Sequence, residues 1–216
     1  MRLARRAGPG TAGPRGVRPP GRGTSLLVAA LALAVPAADG ASAGGRDPAP
    51  VLARHYAPLA RVERRAAGAL GARVERWRLI TARGDTVHAL WRAARPGVVR
   101  PWTAVMMGGL HTGDRAALLL PEDSPFNALA VSWPWRGPMK LSPAEFALKL
   151  PAIERAVLRS PSTLALGVEA VARARGVDPS RIVLVGASLG VPPALAALRL
   201  TGGPDAVLLV DGGADL

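Results

Sequence analysis

The chain has 216 residues, no cysteine, 49% hydrophobic residues and a formal net charge of +13. The absence of cysteine excludes disulfides, thiolate metal sites and a cysteine nucleophile, and the high apolar content excludes a disordered chain. The three histidines, His55, His88 and His111, are too widely spaced for two of them to lie on one helix face as metal ligands. We therefore expect no metal site.

Residues 1–43 have the layout of an export signal. An arginine-rich segment precedes the apolar residues 26–35, and Ala41-Ser42-Ala43 follows as an A-x-A cleavage site. Ten apolar residues are too few to span a bilayer. The segment predicts a signal peptide, a secreted or periplasmic protein, and no membrane span after cleavage. Translated sequence upstream of a later start codon is the alternative, because the basic segment is long.

Much of the positive charge belongs to this leader. Six of the 28 basic residues and one of the 15 acidic residues lie within residues 1–43, so the rest of the chain has a net charge of +8. The remaining basic residues are spread along the sequence rather than gathered in a stripe, and no nucleic-acid-binding motif is present. We therefore predict no nucleic-acid partner.

After the leader, the predicted secondary structure changes from helix to strand near residue 75. Residues 44–74 begin with a proline-rich linker and continue with apolar residues at near-helical spacing, which predicts a packing helix (Leu52, Tyr56, Leu59, Val62). Residues 74–79 and 87–91 then predict two strands of an antiparallel hairpin. The turn between them contains Arg83-Gly84-Asp85, a cell-adhesion tripeptide, but Gly-Asp is ordinary turn chemistry and we favour the turn.

Residues 75–216 predict a single α/β domain. Apolar runs at 102–107, 127–132, 181–185 and 206–210 predict strands, and helical segments separate them. Ser142 and Glu145 have capping-box spacing and open a helical region that continues, with interruptions, to about Arg175. Alternating strands and helices predict a mostly parallel, doubly wound sheet with helices on both faces.

Gly186-Ala187-Ser188-Leu189-Gly190 matches G-x-S-x-G, the nucleophile elbow. In this motif the serine lies on a strained turn between a strand and a helix, where side chains at the flanking glycine positions would collide with the backbone. The bare pattern is weak in a glycine-rich chain. Its context supports it, because an apolar strand ends at Gly186 and a helical stretch follows Leu189.

Acyl transfer also needs two N–H groups that stabilise the developing oxyanion. One comes from the residue after the nucleophile, here Leu189, and the other from a loop after an earlier strand. Gly108-Gly109-Leu110 directly follows residues 102–107, and we predict the Leu110 N–H as the second donor. An ordinary strand-ending turn is the alternative for these glycines.

Three sequence blocks resemble the α/β-hydrolase superfamily. They are VMMGGL, NALAVSWPWRG and VDPSRIVLVGASLG, and the last is similar to the dienelactone hydrolase and prolyl-oligopeptidase-like branch. The resemblance implies an α/β-hydrolase fold, Ser188 as nucleophile, Leu189 and Leu110 as the oxyanion hole, and cofactor-free hydrolysis of a small-molecule ester, thioester or amide. Trp133 and Trp135 line a substrate pocket or pack under the loop.

The chain departs from this family after the elbow. The family places its acid and then its histidine after the serine, whereas no histidine follows Ser188 here. Asp211 is a candidate acid, although an ordinary strand-end aspartate is favoured. His111 follows the oxyanion-loop glycines and is a candidate base, although a solvent-facing loop histidine is favoured. Without an imidazole, Ser188 lacks the group that activates its hydroxyl.

Two interpretations follow. In the first, the chain is the N-terminal part of a serine esterase, inactive alone, whose acid and histidine lie beyond Leu216. An apolar last strand left at a sheet edge favours this interpretation. In the second, the chain is a complete, non-catalytic α/β binding module of the same fold.

Overall fold

A computed structural model describes residues 49–138, 140–201, 204 and 206–210. The predicted signal peptide and Asp211 lie outside these residues. The strands are β1 (Leu59–Ala66), β2 (Val74–Thr81), β3 (Thr86–Arg92), β4 (Thr103–Met107), β5 (Asn127–Val131), β6 (Ile182–Ala187) and β7 (Ala206–Val210). The α-helices are α1 (Ala49–His55), α2 (Pro143–Ala172) and α3 (Val191–Thr201), and short 3₁₀ segments cover Gly68–Leu70, Gly113–Leu119 and Ser188–Gly190.

All seven strands form one sheet in the order β1-β2-β3-β5-β4-β6-β7. The pairs β1/β2, β2/β3 and β3/β5 are antiparallel, whereas β5, β4, β6 and β7 run parallel. The predicted hairpin is confirmed: Ile80 pairs with Thr86, and Gly84 has a φ of 82° in the turn between them. The predicted α/β sheet with an antiparallel N-terminal part is therefore confirmed.

The predicted packing helix is wrong for half of its length. The helix ends at His55, and Leu59–Ala66 forms strand β1, which pairs along its length with β2. Pro58 disfavours helical backbone at the residue before it. The alternation of β1 is hidden in the sequence because an inward position is occupied by Arg64, whose guanidinium lies 4.2 Å from the centre of the Trp77 ring.

The two faces of the sheet are covered differently. In the described part of the chain, α1, α2 and α3 pack against one another and against one face, above a core that includes Trp77 and Trp91, stacked 4.9 Å apart. On the other face the segment Gly113–Leu119 covers a smaller cluster around Leu90. Helical segments thus lie on both faces, as predicted, with the α-helices on one of them.

Helix α2 is continuous where interruptions were predicted. It begins at the predicted capping box, in which the Glu145 N–H donates to Ser142 Oγ at 3.3 Å and the Ser142 N–H donates to Glu145 Oε2 at 2.9 Å. It then runs for 30 residues through Pro151 and Pro161. Gly167 lets it approach the sheet, since a Cβ there would lie 3.0 Å from Val105. None of the described helices has the length and hydrophobicity needed to cross a membrane.

Candidate functional site

Ser188 lies at the turn where β6 ends and α3 begins. Its φ is +52°, and among the described non-glycine residues only Arg100 shares a positive φ. A side chain in this left-handed region costs on the order of 1–3 kcal/mol, and such residues cluster at functional sites. The serine is exposed at the carboxyl end of the sheet, as the nucleophile-elbow motif predicts.

The flanking glycines make this turn possible. A Cβ on Gly190 would lie 1.9 Å from the carbonyl oxygen of Met107, and a Cβ on Gly186 would lie 2.6 Å from the carbonyl oxygen of Gly190. Both distances are below any real van der Waals contact, so neither position accepts a side chain without a shift of the backbone. The predicted steric requirement for glycine on both sides of Ser188 is confirmed.

The loop after β4 lies beside the serine. A Cβ on Gly109 would lie 3.9 Å from the Cβ of Ser188. The Gly109 carbonyl accepts from the N–H groups of Thr112 at 2.9 Å and Gly113 at 3.1 Å, which folds the loop back on itself. Among the described residues the Leu110 N–H has no hydrogen-bond partner, which leaves it available as a donor.

Trp133 holds this loop in place. Its indole Nε1 donates to the Gly108 carbonyl at 2.9 Å, while its ring packs against the main core. The Gly108 carbonyl and the Gly109 N–H belong to the same trans peptide group and point in opposite directions. This bond therefore orients the Gly109 N–H as well. From the sequence, two roles were open for Trp133: lining a substrate pocket or packing under the loop. The hydrogen bond is a third role, and it depends on a contact between β5 and β4 that sequence spacing does not reveal.

An apolar pocket brings four of the predicted site residues together, although Ser188 and His111 are not among its lining residues. Leu110, Leu189, Trp133 and Trp135 line it together with Ile153, Ala156 and Val157 of helix α2. The two residues predicted to form the oxyanion hole therefore share one small concavity with the two tryptophans. Its lining is apolar, which suits a short hydrocarbon group rather than a charged one.

A larger polar cleft adjoins this pocket and shares Trp133 and Trp135 with it. The cleft has a volume of about 830 Å³, and His55 and His88 line it. Sequence reasoning gave neither histidine a role in the site. They lie there because α1 ends, and β3 begins, at the same edge of the sheet as the carboxyl end of β5.

The candidate base, His111, lies in the loop that follows β4. His111 is exposed, in agreement with the favoured interpretation, and among the described residues no histidine is hydrogen-bonded to Ser188. Asp211 lies outside the described residues, so its role as an acid stays a prediction. The described part of the chain also holds no group of three or more side chains that could bind a metal ion.

Two of the groups with shifted pKa values, Tyr56 and Asp178, connect elements of the fold away from the elbow. Burial, together with the hydrogen bond to Glu169, raises the pKa of Tyr56 to about 12. Hydrogen bonds from Ser180 and Arg100 lower the pKa of Asp178 to about 2. Both groups connect elements of the fold, and we assign them to stability rather than to chemistry.

No family model and no curated protein sequence matches the chain. Among solved structures it is similar to a candidate acetyl xylan esterase from Bacteroides fragilis, with 13% identity, a TM-score of 0.54, and coverage of 73% of this chain and 50% of that one. At this identity the likeness shows a shared fold.

Two further structures are similar at lower scores. One is acetyl xylan esterase 1 from a Thermoanaerobacterium species, with 16% identity, a TM-score of 0.48, and coverage of 70% of this chain and 52% of that one. The other is an acetyl xylan esterase from a Paenibacillus species, with 20% identity, a TM-score of 0.47, and coverage of 74% and 56%. The chain thus spans about half the length of the solved structures it matches.

Proposed function

We propose that this chain, which has the α/β-hydrolase fold, carries the nucleophile of a serine hydrolase that cleaves a carboxylic ester, thioester or amide. The observation that carries the proposal is the backbone of Ser188. A serine with a φ of +52°, placed between a strand and a helix and flanked by two glycines that tolerate no Cβ, has a strained conformation. Packing alone gives no reason for that strain.

The proposed reaction begins at the Ser188 hydroxyl. The Oγ attacks the carbonyl carbon of the substrate, its proton passes to a base, and the carbonyl oxygen becomes an oxyanion that the Leu189 and Leu110 N–H groups stabilise. The C–O bond to the leaving group then breaks, and the alcohol departs with a proton. Water attacks the acyl-serine in the same manner, releasing the acid and regenerating the hydroxyl.

The two concavities suit the two parts of an ester, the acyl group and the leaving group. The apolar pocket beside Leu110 and Leu189 suits a short acyl chain, because an acyl group must lie next to the oxyanion hole. The polar cleft across Trp133 and Trp135 then receives the leaving group. We propose an ester of a short-chain acid and a polar alcohol as the substrate class.

A non-catalytic binding module is the second candidate. It is favoured by one observation: among the described residues, no histidine is hydrogen-bonded to Ser188. A serine hydroxyl without a base is a poor nucleophile at neutral pH. In this chain alone we therefore expect slow acylation and propose that an added base accelerates it.

Hydrolysis of p-nitrophenyl acetate by the full chain, with and without added imidazole, distinguishes the two. We expect p-nitrophenolate release above the imidazole background that disappears in Ser188→Ala. The matched control is Ser180→Ala, which removes an exposed hydroxyl before β6, at the end of that strand opposite Ser188 and outside both concavities. Equal rates for the wild type and Ser188→Ala, with or without imidazole, would favour the binding module.

A further inference from the structure

The pairing of β1 with β2 brings arginines that are separated in the sequence onto one face of the sheet. On the face of the antiparallel strands away from the α-helices, Gly113–Leu119 covers the buried Val74 and Leu90. Beyond this cover, polar side chains of β1, β2 and β3 point the same way, and we call them the arginine face (Arg61, Glu63, Arg65, Arg76, Arg78, His88). Four of the six are arginines, and Glu63 is the one acidic member. The conclusion from sequence, that no basic stripe exists, does not hold for this face.

The acidic member leaves part of this charge unbalanced. Glu63 pairs with Arg61 at 3.2 Å and with Arg78 at 2.7 Å, at side-chain exposures of 34% for the glutamate and 68% and 44% for the arginines. Arg65 and Arg76 are exposed, and neither forms an ion pair within the described part of the chain. Among the described residues, the face therefore presents two guanidinium groups without an acidic partner, Arg65 and Arg76, beside a triplet whose net charge is +1.

These two arginines lie directly opposite each other. Arg65 and Arg76 are partners in the register of β1 and β2, and side chains at such positions have Cβ atoms about 5 Å apart. Like charges in that arrangement destabilise a sheet. An anion bound between them removes the repulsion, and the guanidinium fork matches a carboxylate through two parallel hydrogen bonds.

The face leads toward the candidate site. Arg76 and His88 also line the polar cleft, which contains Trp133 and Trp135. A chain lying across the strands would therefore extend from the arginine face into this cleft, whose lining also includes Asp85, Asp114, Arg136 and Arg159. The face has no aromatic side chain for base stacking and no helix that could enter a groove, and none of its six residues is an apolar anchor for a membrane.

We propose that the arginine face binds an acidic polysaccharide, with carboxylates of the extended chain held between Arg65 and Arg76. This binding needs no catalysis at Ser188. The proposal therefore stands or falls separately from the hydrolase proposal, although the continuity of the face with the cleft suggests that the polymer carries the ester.

Isothermal titration of the full chain with polygalacturonate tests the proposal. We expect saturable binding that weakens with added salt, no binding of neutral dextran, and a loss of about five- to tenfold in Arg65→Gln/Arg76→Gln. The matched control is Arg175→Gln/Arg199→Gln, which removes two exposed arginines from the helical layer on the opposite face and should bind like the wild type. No binding, or an equal loss in both double variants, would overturn the proposal.

A charge reversal separates binding from folding. Arg65→Glu converts the repulsive pair into an attractive one with Arg76, so we expect the Tm to stay level or rise while polygalacturonate binding is lost. A lower Tm would show that Arg65 serves the fold, and would overturn the proposal. Tighter binding of duplex DNA or of phosphatidylserine vesicles than of polygalacturonate, at equal charge concentration, would also overturn it.

Discussion

The turn that contains Ser188 makes a close contact with strand β4. Gly190 lies against the backbone of Met107, the last residue of β4. The elbow therefore packs directly beside the loop Gly108-Gly109-Leu110, the proposed oxyanion loop. This contact holds Ser188, the proposed nucleophile, beside the loop that carries Leu110. A change at Gly190 would therefore disturb both stability and the site.

We expect Gly190→Ala to lower the free energy of unfolding by about 3 kcal/mol, the upper range for overpacking a rigid site. The added methyl group would lie 1.9 Å from the Met107 oxygen, and backbone on both sides limits relaxation. Urea denaturation followed by circular dichroism measures the change. Gly68→Ala is the control, because its Cβ would meet nothing within 4 Å; equal effects of the two substitutions would contradict this account.

Trp133→Phe tests the indole hydrogen bond to the oxyanion loop. The phenyl ring keeps most of the packing but leaves the Gly108 carbonyl without its donor, so we expect a loss of about 1 kcal/mol in stability and slower acylation of Ser188. Trp135→Phe is the matched control, since its indole donates at 3.3 Å to the exposed carbonyl of Pro138. If acylation slows equally in both variants, Trp133 has no special role in the loop.

Residues of the elbow could be predicted from the sequence, whereas the histidines of the cleft could not. The elbow is a local structure, and its serine and glycines lie within five consecutive positions. His55 and His88 reach the cleft because separate elements end at one sheet edge. Sequence spacing carries no information about that edge until the strand order is known.

At the level of elements, one glutamate joins the start of the sheet to α2. Glu169 Oε2 accepts from the Tyr56 hydroxyl at 2.8 Å and from the Leu59 N–H at 2.9 Å, and its other oxygen pairs with Arg173. Arg173 in turn donates to the Leu59 carbonyl at 2.9 Å. These bonds anchor the α1–β1 junction, which forms one wall of the polar cleft.

The single tyrosine of the chain reports on this anchor. Burial and the bond to Glu169 raise the pKa of Tyr56 to about 12 in the folded protein, above its value near 10 in an unfolded chain. The folded state therefore holds the proton more tightly, and this stabilisation is lost as the pH rises from about 10 through 12. Ultraviolet titration of the phenolate should give a midpoint near 12, shifted toward 10 in Glu169→Gln; an unshifted midpoint in the variant would contradict the assignment.

Strand β1 shows why one element was missed. Its inward positions include Arg64, which covers Trp77, so the polar and apolar residues do not alternate in the sequence. By contrast, β6 is a run of apolar residues because its side chains are buried or half-buried on both faces of the sheet, at a position between β4 and β7. Local patterning predicts strands whose inward residues are apolar, and fails where a long charged side chain packs over an aromatic ring.

Over the whole molecule, the sheet is stabilised differently at its two ends. At the carboxyl end of the parallel strands lie the elbow, the oxyanion loop and both concavities. At the opposite end, Arg100 Nε donates to Asp178 at 3.0 Å, and Arg181 donates to the Arg100 carbonyl, which joins the loops that precede β4 and β6. The fold class was predictable from alternating elements, but the order of the strands was not, because it depends on long-range pairing.

Asp178 makes the stability of the folded protein depend on pH in the acidic range. Ser180 and Arg100 lower its pKa to about 2 in the folded state, below the value near 4 of an unfolded aspartate. The folded state thus favours the charged form, so the stabilisation is complete above about pH 4 and is lost as the pH falls through 2. We expect Asp178→Asn to flatten the decline of Tm between pH 4 and pH 2; an unchanged decline would assign acid sensitivity to other carboxylates.

The central claim, that Ser188 is a nucleophile, is tested most directly by mapping acetylation. The full chain is incubated with p-nitrophenyl acetate and imidazole, quenched in acid, digested and analysed by mass spectrometry. We expect one acetyl group on the peptide that contains Ser188, absent in Ser188→Ala and present in Ser180→Ala. Acetylation confined to Lys140 or Lys149, or equal acetylation of that peptide in the wild type and Ser188→Ala, would contradict it.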